Sequence, residues 1–192
     1  KLPERSDEGK PRHADDNPVA LSVVYDLGSV GEKEKSRYMT LAYDDVYSIE
    51  YFGTNLCAWW KRNGMSVSEM LEQADKSYYE IEKRCSLFDK QLFDSTKDAG
   101  GEKYAQLCAL AYRQAIAAHK LTTGPDSSPL FFSKENFSNG SIGTVDVTYP
   151  SSPLFLAYNS DLLKGMLEPI FYYSESGKWS KPFAAHDDSF SS

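Results

Sequence analysis

Hydrophobic and polar positions along this chain change period twice, and each change predicts a change of element. Val19 to Tyr25 (VALSVVY) and Arg37 to Tyr43 (RYMTLAY) read as strands. In the second run Tyr38, Thr40 and Ala42 alternate with Met39, Leu41 and Tyr43, the period of two expected of a half-buried strand. The turn-rich DLGSVGEKEKS between them predicts one antiparallel hairpin, which needs a sheet or helix to cover it. From Tyr47 the pattern reads as helical. Tyr47 to Arg62 predicts an aromatic-rich helix stopped at Asn63-Gly64. Ser66-Val67-Ser68-Glu69 has the form of a capping box. Beyond it Met70, Ala74, Tyr78, Ile81, Cys85, Phe88 and Leu92 recur at intervals of three or four, which predicts a long outer helix with one buried stripe. Gly100-Gly101 breaks the chain, and Glu102 to Leu121 is apolar almost all round, so an inner, enclosed helix is expected. Ser151 to Tyr158 and Asp161 to Tyr173 predict a further helical pair, with Pro169 kinking its end. The fold class is therefore mainly α: helical hairpins preceded by a short β hairpin.

Between the helical regions lies Leu130 to Pro150, LFFSKENFSNGSIGTVDVTYP. Its Lys134, Glu135, Asn136, Asp146 and Tyr149 are interleaved with Gly140 and Gly143, so reactive side chains sit on backbone that can turn sharply. It reads as a functional loop forming a pocket rim. Two domains follow: residues 1–45, a charged, proline-bearing linker and hairpin forming the tail of an upstream β domain, and residues 46–192, a helical-hairpin domain carrying loop 130–150.

The balance of charge narrows the partners. With 21 Lys+Arg against 28 Asp+Glu the net charge is −7, and the basic residues are scattered, which argues against nucleic acid. No apolar run is long enough to span a bilayer. Cys57, Cys85 and Cys108 form no CxxC or Cys/His cluster and read as buried free thiols. Asp44-Asp45 could bind a cation or cap the helix expected from Tyr47, and capping is the favoured role. The acidic and amide residues of the central loop lack the regular spacing of a calcium loop, so neither metal nor cofactor is expected.

Four ordered blocks carry a resemblance: AYDDVYSIEYFG (42–53), CALAYRQAIAAHKL (108–121), SKENFSNGSIGTVDVTYPSSPLFL (133–156) and FYYSESGKWSKPFAAHD (171–187). Together they resemble the central region of the glutaminase A family. The resemblance implies an extracytoplasmic protein, secreted or periplasmic, whose β-rich domain leads into an α/α toroid of the six-hairpin glycosidase type. It implies hydrolysis of the side-chain amide of L-glutamine to glutamate and ammonia. After Asp187 the chain departs from the family pattern, so it reads as a fragment lacking flanking domains, with little activity expected of it alone.

Amide hydrolysis needs an activated water, stabilisation of an oxyanion and an acid for the leaving ammonia. No GxSxG elbow or Cys/His pairing is present, so carboxylate chemistry is expected. Glu135 or Asp146 would serve as general base, and His186 with Asp187 as an oriented acid. Lys134 or Arg113 would hold a substrate carboxylate or oxyanion, with Asn136, Tyr149 and Trp179 in the binding surface. Arg113, on an apolar helix, either pairs with a loop carboxylate or lies at a cavity mouth; His119 reads as a hydrogen-bonded cation at a helix end. Two alternatives compete: a glycoside hydrolase-like toroid, with paired carboxylates and aromatic platforms for a carbohydrate, and a non-catalytic structural or binding module.

Overall fold

The structure, a computed structural model, describes residues 13, 15, 22–135 and 139–188. The chain divides into two units, Lys1–Met39 and Thr40–Ser192. In the first, the Asp26 carboxylate accepts from the Gly28 amide at 2.7 Å, and the Lys35 ammonium donates to the carbonyls of Leu27 and Ser29 at 3.0 and 2.7 Å. The hairpin expected from 19–25 and 37–43 is not seen among the described residues. Residues 22–25 and 37–43 contain no strand, and Val23, Val24 and Met39 are exposed. Val19 to Leu21, and nearly all of the expected linker, lie outside the described residues. Strand runs with nothing apolar to cover do not stay paired in water.

A β hairpin does precede the helices, but where a helix was expected. Strands β1 (Ile49–Tyr51) and β2 (Thr54–Leu56) pair antiparallel. They are joined by Phe52 and Gly53, both at positive φ (48° and 77°), as a two-residue hairpin loop requires. Ile49, Tyr51 and Leu56 turn inward. The period-two spacing of Ile49 and Tyr51 is the signal that the surrounding aromatics obscured. Asp44 and Asp45 cap nothing. Asp44 pairs with Lys61 at 2.6 Å, and Asp45 pairs with Lys120, which ties this hairpin to the strand beside it.

Helix α1 (Val67–Gly100) begins at the expected capping box. The Ser66 hydroxyl accepts from the Glu69 amide, and the Glu69 carboxylate accepts from the Ser66 amide at 2.8 Å. Its 34 residues span ~50 Å. Gly101, at φ 82° and ψ −179°, turns the chain into helix α2 (Glu102–Ala117), in a region of backbone space that is essentially glycine's alone. The two helices pack on each other, but neither is enclosed. Leu92 is the buried residue of α1 and Ala105 that of α2, while Ile81, Leu107 and Leu110 are exposed. An all-round apolar helix buries only the faces its neighbours reach.

Helix α2 stops at Ala117, short of Leu121, because His119–Thr123 forms strand β3, paired antiparallel with β4 (Pro129–Ser133). The β-branched Thr122-Thr123 and the turn around Gly124-Pro125 favour strand over helix there. β4 splits its side chains by alternation. Leu130 and Phe132 join Ile49, Tyr51 and Leu56 on one face, and Phe131 joins Phe155 and Met166 on the other. Helices α3 (Val145–Tyr158) and α4 (Ser160–Glu175) supply that second face. Pro169 lies inside α4, which runs six residues past it, and Asn159 caps its start with a side-chain oxygen that accepts from the Asp161 and Leu162 amides. Gly165 lets α4 approach β4: a Cβ there would lie 2.5 Å from the Pro129 carbonyl oxygen.

Candidate functional site

The expected loop 130–150 is three things. Its first residues are β4, its last begin α3, and only 134–144 connects them. That connection is itself held as a ladder. Lys134 donates its amide to the Ala118 carbonyl at 2.9 Å, on the β3 side. On the other side Gly143 donates to the Ser133 carbonyl at 3.0 Å and Glu135 to the Ser141 carbonyl at 3.3 Å. Residues 186–188 add the next rung, with Asp188 donating to the Ile142 carbonyl at 2.8 Å and Val145 to the His186 carbonyl at 2.9 Å. Backbone pairing therefore brings Glu135, Asp146, His186 and Asp187 to one edge, although more than 50 positions separate the first from the last.

His186 is the hub of that edge. Its Nδ1 lies 3.1 Å from an Asp187 carboxylate oxygen and its Nε2 lies 3.9 Å from Oδ1 of Asp146. The hydrogen bond to Asp187 chiefly, then the charges of Asp146, Asp187 and Glu135, hold its pKa above that of an ordinary histidine. The ring and Asp146 are both well exposed. Such an arrangement presents a proton-bearing imidazole to solvent, oriented by one carboxylate and flanked by two more.

Asp188, one residue on, is the group that sequence reading passed over. It is 5% exposed, and its Oδ2 has no hydrogen-bond partner among the described residues. It presses on Gly143 (φ 62°), where a Cβ would lie within 3 Å of the carboxyl carbon. Burial, with the charge of Asp187 as a lesser cause, pushes its pKa up to about 7. No pattern of spacing marks it, because its burial arises from the ladder.

The remaining expected residues are dispersed. Lys134 is half-buried in the ladder, and its charge is felt by His119. Tyr149 is 81% exposed on α3. Trp179 packs on Tyr173 and Phe183 and donates its indole N–H to the Phe183 carbonyl, closing the loop after α4. Arg113 is exposed and lines an apolar groove between α1 and α2, with Phe93, Tyr112 and Ile116 beside it. Asn136 lies outside the described residues. His119 is hydrogen-bonded at the end of α2, as expected, its Nδ1 lying 2.6 Å from the Ala115 carbonyl oxygen; it opens β3, stacked on Phe131 at 4.7 Å, and burial lowers its pKa, against the charged form. The three thiols are free, but Cys85 is exposed and Cys57 and Cys108 only half-buried. Among the described residues no group of three or more His, Cys, Asp or Glu is placed to hold a metal ion, and no helix is long and apolar enough to cross a membrane.

A second concavity, of about 390 Å³, lies between the β1–β2 turn, the β3–β4 turn and α4. Tyr51, Phe52 and Tyr172 form its aromatic wall and Asp126 and Glu168 its charged lining.

Known proteins fit this picture. Residues 101–188 match the glutaminase A six helical-hairpin domain, and residues 1–95 match a domain of unknown function. The chain is similar to Glutaminase A of Aspergillus oryzae, 33% identical over 188 residues, covering 95% of the chain and 27% of that protein. It is also similar to a probable glutaminase of Arthroderma benhamiae, 27% identical over 200 residues, covering 97% of the chain and 23% of that protein. The chain thus spans about a quarter of the length of these relatives. No solved structure matches it significantly.

Proposed function

We propose that this chain, whose residues 101–188 match the glutaminase A six helical-hairpin domain, supplies the proton-transfer groups for hydrolysis of the side-chain amide of L-glutamine to glutamate and ammonia. The observation that carries the reading is the convergence of His186 with Asp146 and Asp187 on one ladder edge. Asp146 or Glu135 takes a proton from water as the oxygen bonds to the amide carbon. Collapse of that intermediate breaks the C–N bond, and His186 gives the nitrogen its proton so that ammonia leaves. Asp187 orients the ring and stabilises its charged form. An extracytoplasmic setting is part of the same proposal and rests on the same kinship; antibody detection in culture medium rather than cell lysate is the expected result.

Ammonia release from L-glutamine tests the reading, in this chain and in the Aspergillus oryzae relative with residues 101–188 of this chain exchanged for its own. His186→Asn is expected to lower kcat by about 100-fold or more. An acid must hold its proton, so the rate falls as pH rises through the His186 pKa. Asp187→Asn removes the leading cause of the raised value and shifts that fall to lower pH. Turnover unchanged in His186→Asn would sink the proposal.

A further inference from the structure

We propose that the concavity between the β1–β2 turn, the β3–β4 turn and α4 binds a small organic ammonium ion, seated against three aromatic rings and drawn in by two carboxylates. The rings of Tyr51, Phe52 and Tyr172 stand 4.5, 5.4 and 5.8 Å apart in tilted and edge-on pairs. Packed as one cluster, all three line the same concavity, so a cation seated there meets more than one ring. The cage is built in advance. The Tyr51 hydroxyl donates to the Pro169 carbonyl at 3.1 Å, and Phe52 is fixed in the hairpin loop.

Charge selects the occupant. Asp126 and Glu168 line the space, and Lys164 stands outside that lining, paired with Glu168 and close enough to act on Asp126. Asp126 accepts at Oδ1 from the Ser128 amide at 3.0 Å and from the Ser128 hydroxyl at 2.6 Å, and that hydroxyl bond chiefly holds its pKa below the ordinary carboxylate value. Glu168 meets Lys164 only at 3.5 Å, on the exposed side of α4. An anion would be repelled, and a neutral apolar molecule would forgo both carboxylates. The chain already uses this chemistry, for the Lys178 ammonium sits 5.1 Å from the Phe52 ring centre, and Lys61 and Arg62 lie over Trp60 and Trp59. A volume of about 390 Å³ lies within the range of small-molecule sites.

None of these residues belongs to the His186 edge, so the two proposals stand or fall separately. NMR titration of the whole chain with choline, against its neutral isostere 3,3-dimethylbutan-1-ol, tests this one. Choline is expected to bind about 10-fold more tightly than the alcohol, in keeping with one or more ring contacts, and more weakly as salt is added. Glu168→Gln should weaken choline about 3-fold or more. Tyr172→Ala, at a half-exposed position and with the fold checked by circular dichroism, should abolish the preference for the cation. His186→Asn should leave choline binding unchanged. Equal binding of choline and the alcohol, binding of neither, or a preference that survives Tyr172→Ala would overturn the proposal.

Discussion

Asp188 shows how a single side chain comes to depend on pH. Its carboxyl keeps its proton up to about pH 7 when folded, because burial penalises the charge, against an ordinary value of 3.8. Between those values the unfolded chain binds fewer protons than the folded one, so stability is greatest below the lower value and falls as pH rises through the higher. The difference is worth roughly 4 kcal/mol. Asp188→Asn, which keeps the shape and cannot ionise, is expected to remove most of this slope in urea unfolding between pH 5 and pH 8. Parallel losses in both proteins would show that the slope comes from elsewhere. Candidate residues were legible as residue types: carboxylates and histidines among glycines identify Glu135, Asp146, His186 and Asp187 as chemistry-bearing groups. Their convergence, and the burial of their neighbour, were not legible.

Elements were legible where a local signal was complete. Ser66 with Glu69 marks the start of α1, and Gly100-Gly101 marks its end, because caps and tight turns act through neighbours a few positions apart. The same local logic misled at Tyr47–Arg62 and beyond Ala117. In both places short strands were masked by an apolar run long enough to read as helix, and each hairpin is stabilised by apolar partners distant in sequence, Leu130 and Phe132 for the first and Phe155 and Met166 for the second. Gly165 records one such long-range demand, where α4 crosses β4. Gly165→Ala places a methyl group against the Pro129 carbonyl oxygen and is expected to cost about 1–3 kcal/mol despite the better helix propensity of alanine. Thermal unfolding checks it, and a variant as stable as wild type would mean that α4 shifts freely on the sheet.

Across the molecule, burial is uneven. The strand ladder and α3–α4 enclose two apolar clusters, while α1 and α2 leave Ile81, Leu87, Leu107 and Leu110 in solvent. Exposed apolar area of this kind binds hydrophobic dyes and promotes association. The chain is expected to enhance anilinonaphthalene sulfonate fluorescence, and Leu87→Lys with Leu107→Lys to reduce it while helicity is kept. Undiminished fluorescence in the double variant would place the dye elsewhere.

Periodicity, caps and glycine turns are properties of neighbouring residues, so the helical class, the long α1 and the family blocks could be read directly from the order of amino acids. The packing of the two hairpins, the meeting of 134–135 with 146 and 186–188, and the cavity over Tyr51 depend on groups brought together from distant parts of the chain. Their contact energies exist only once the backbone is folded, and only the tertiary structure decided them.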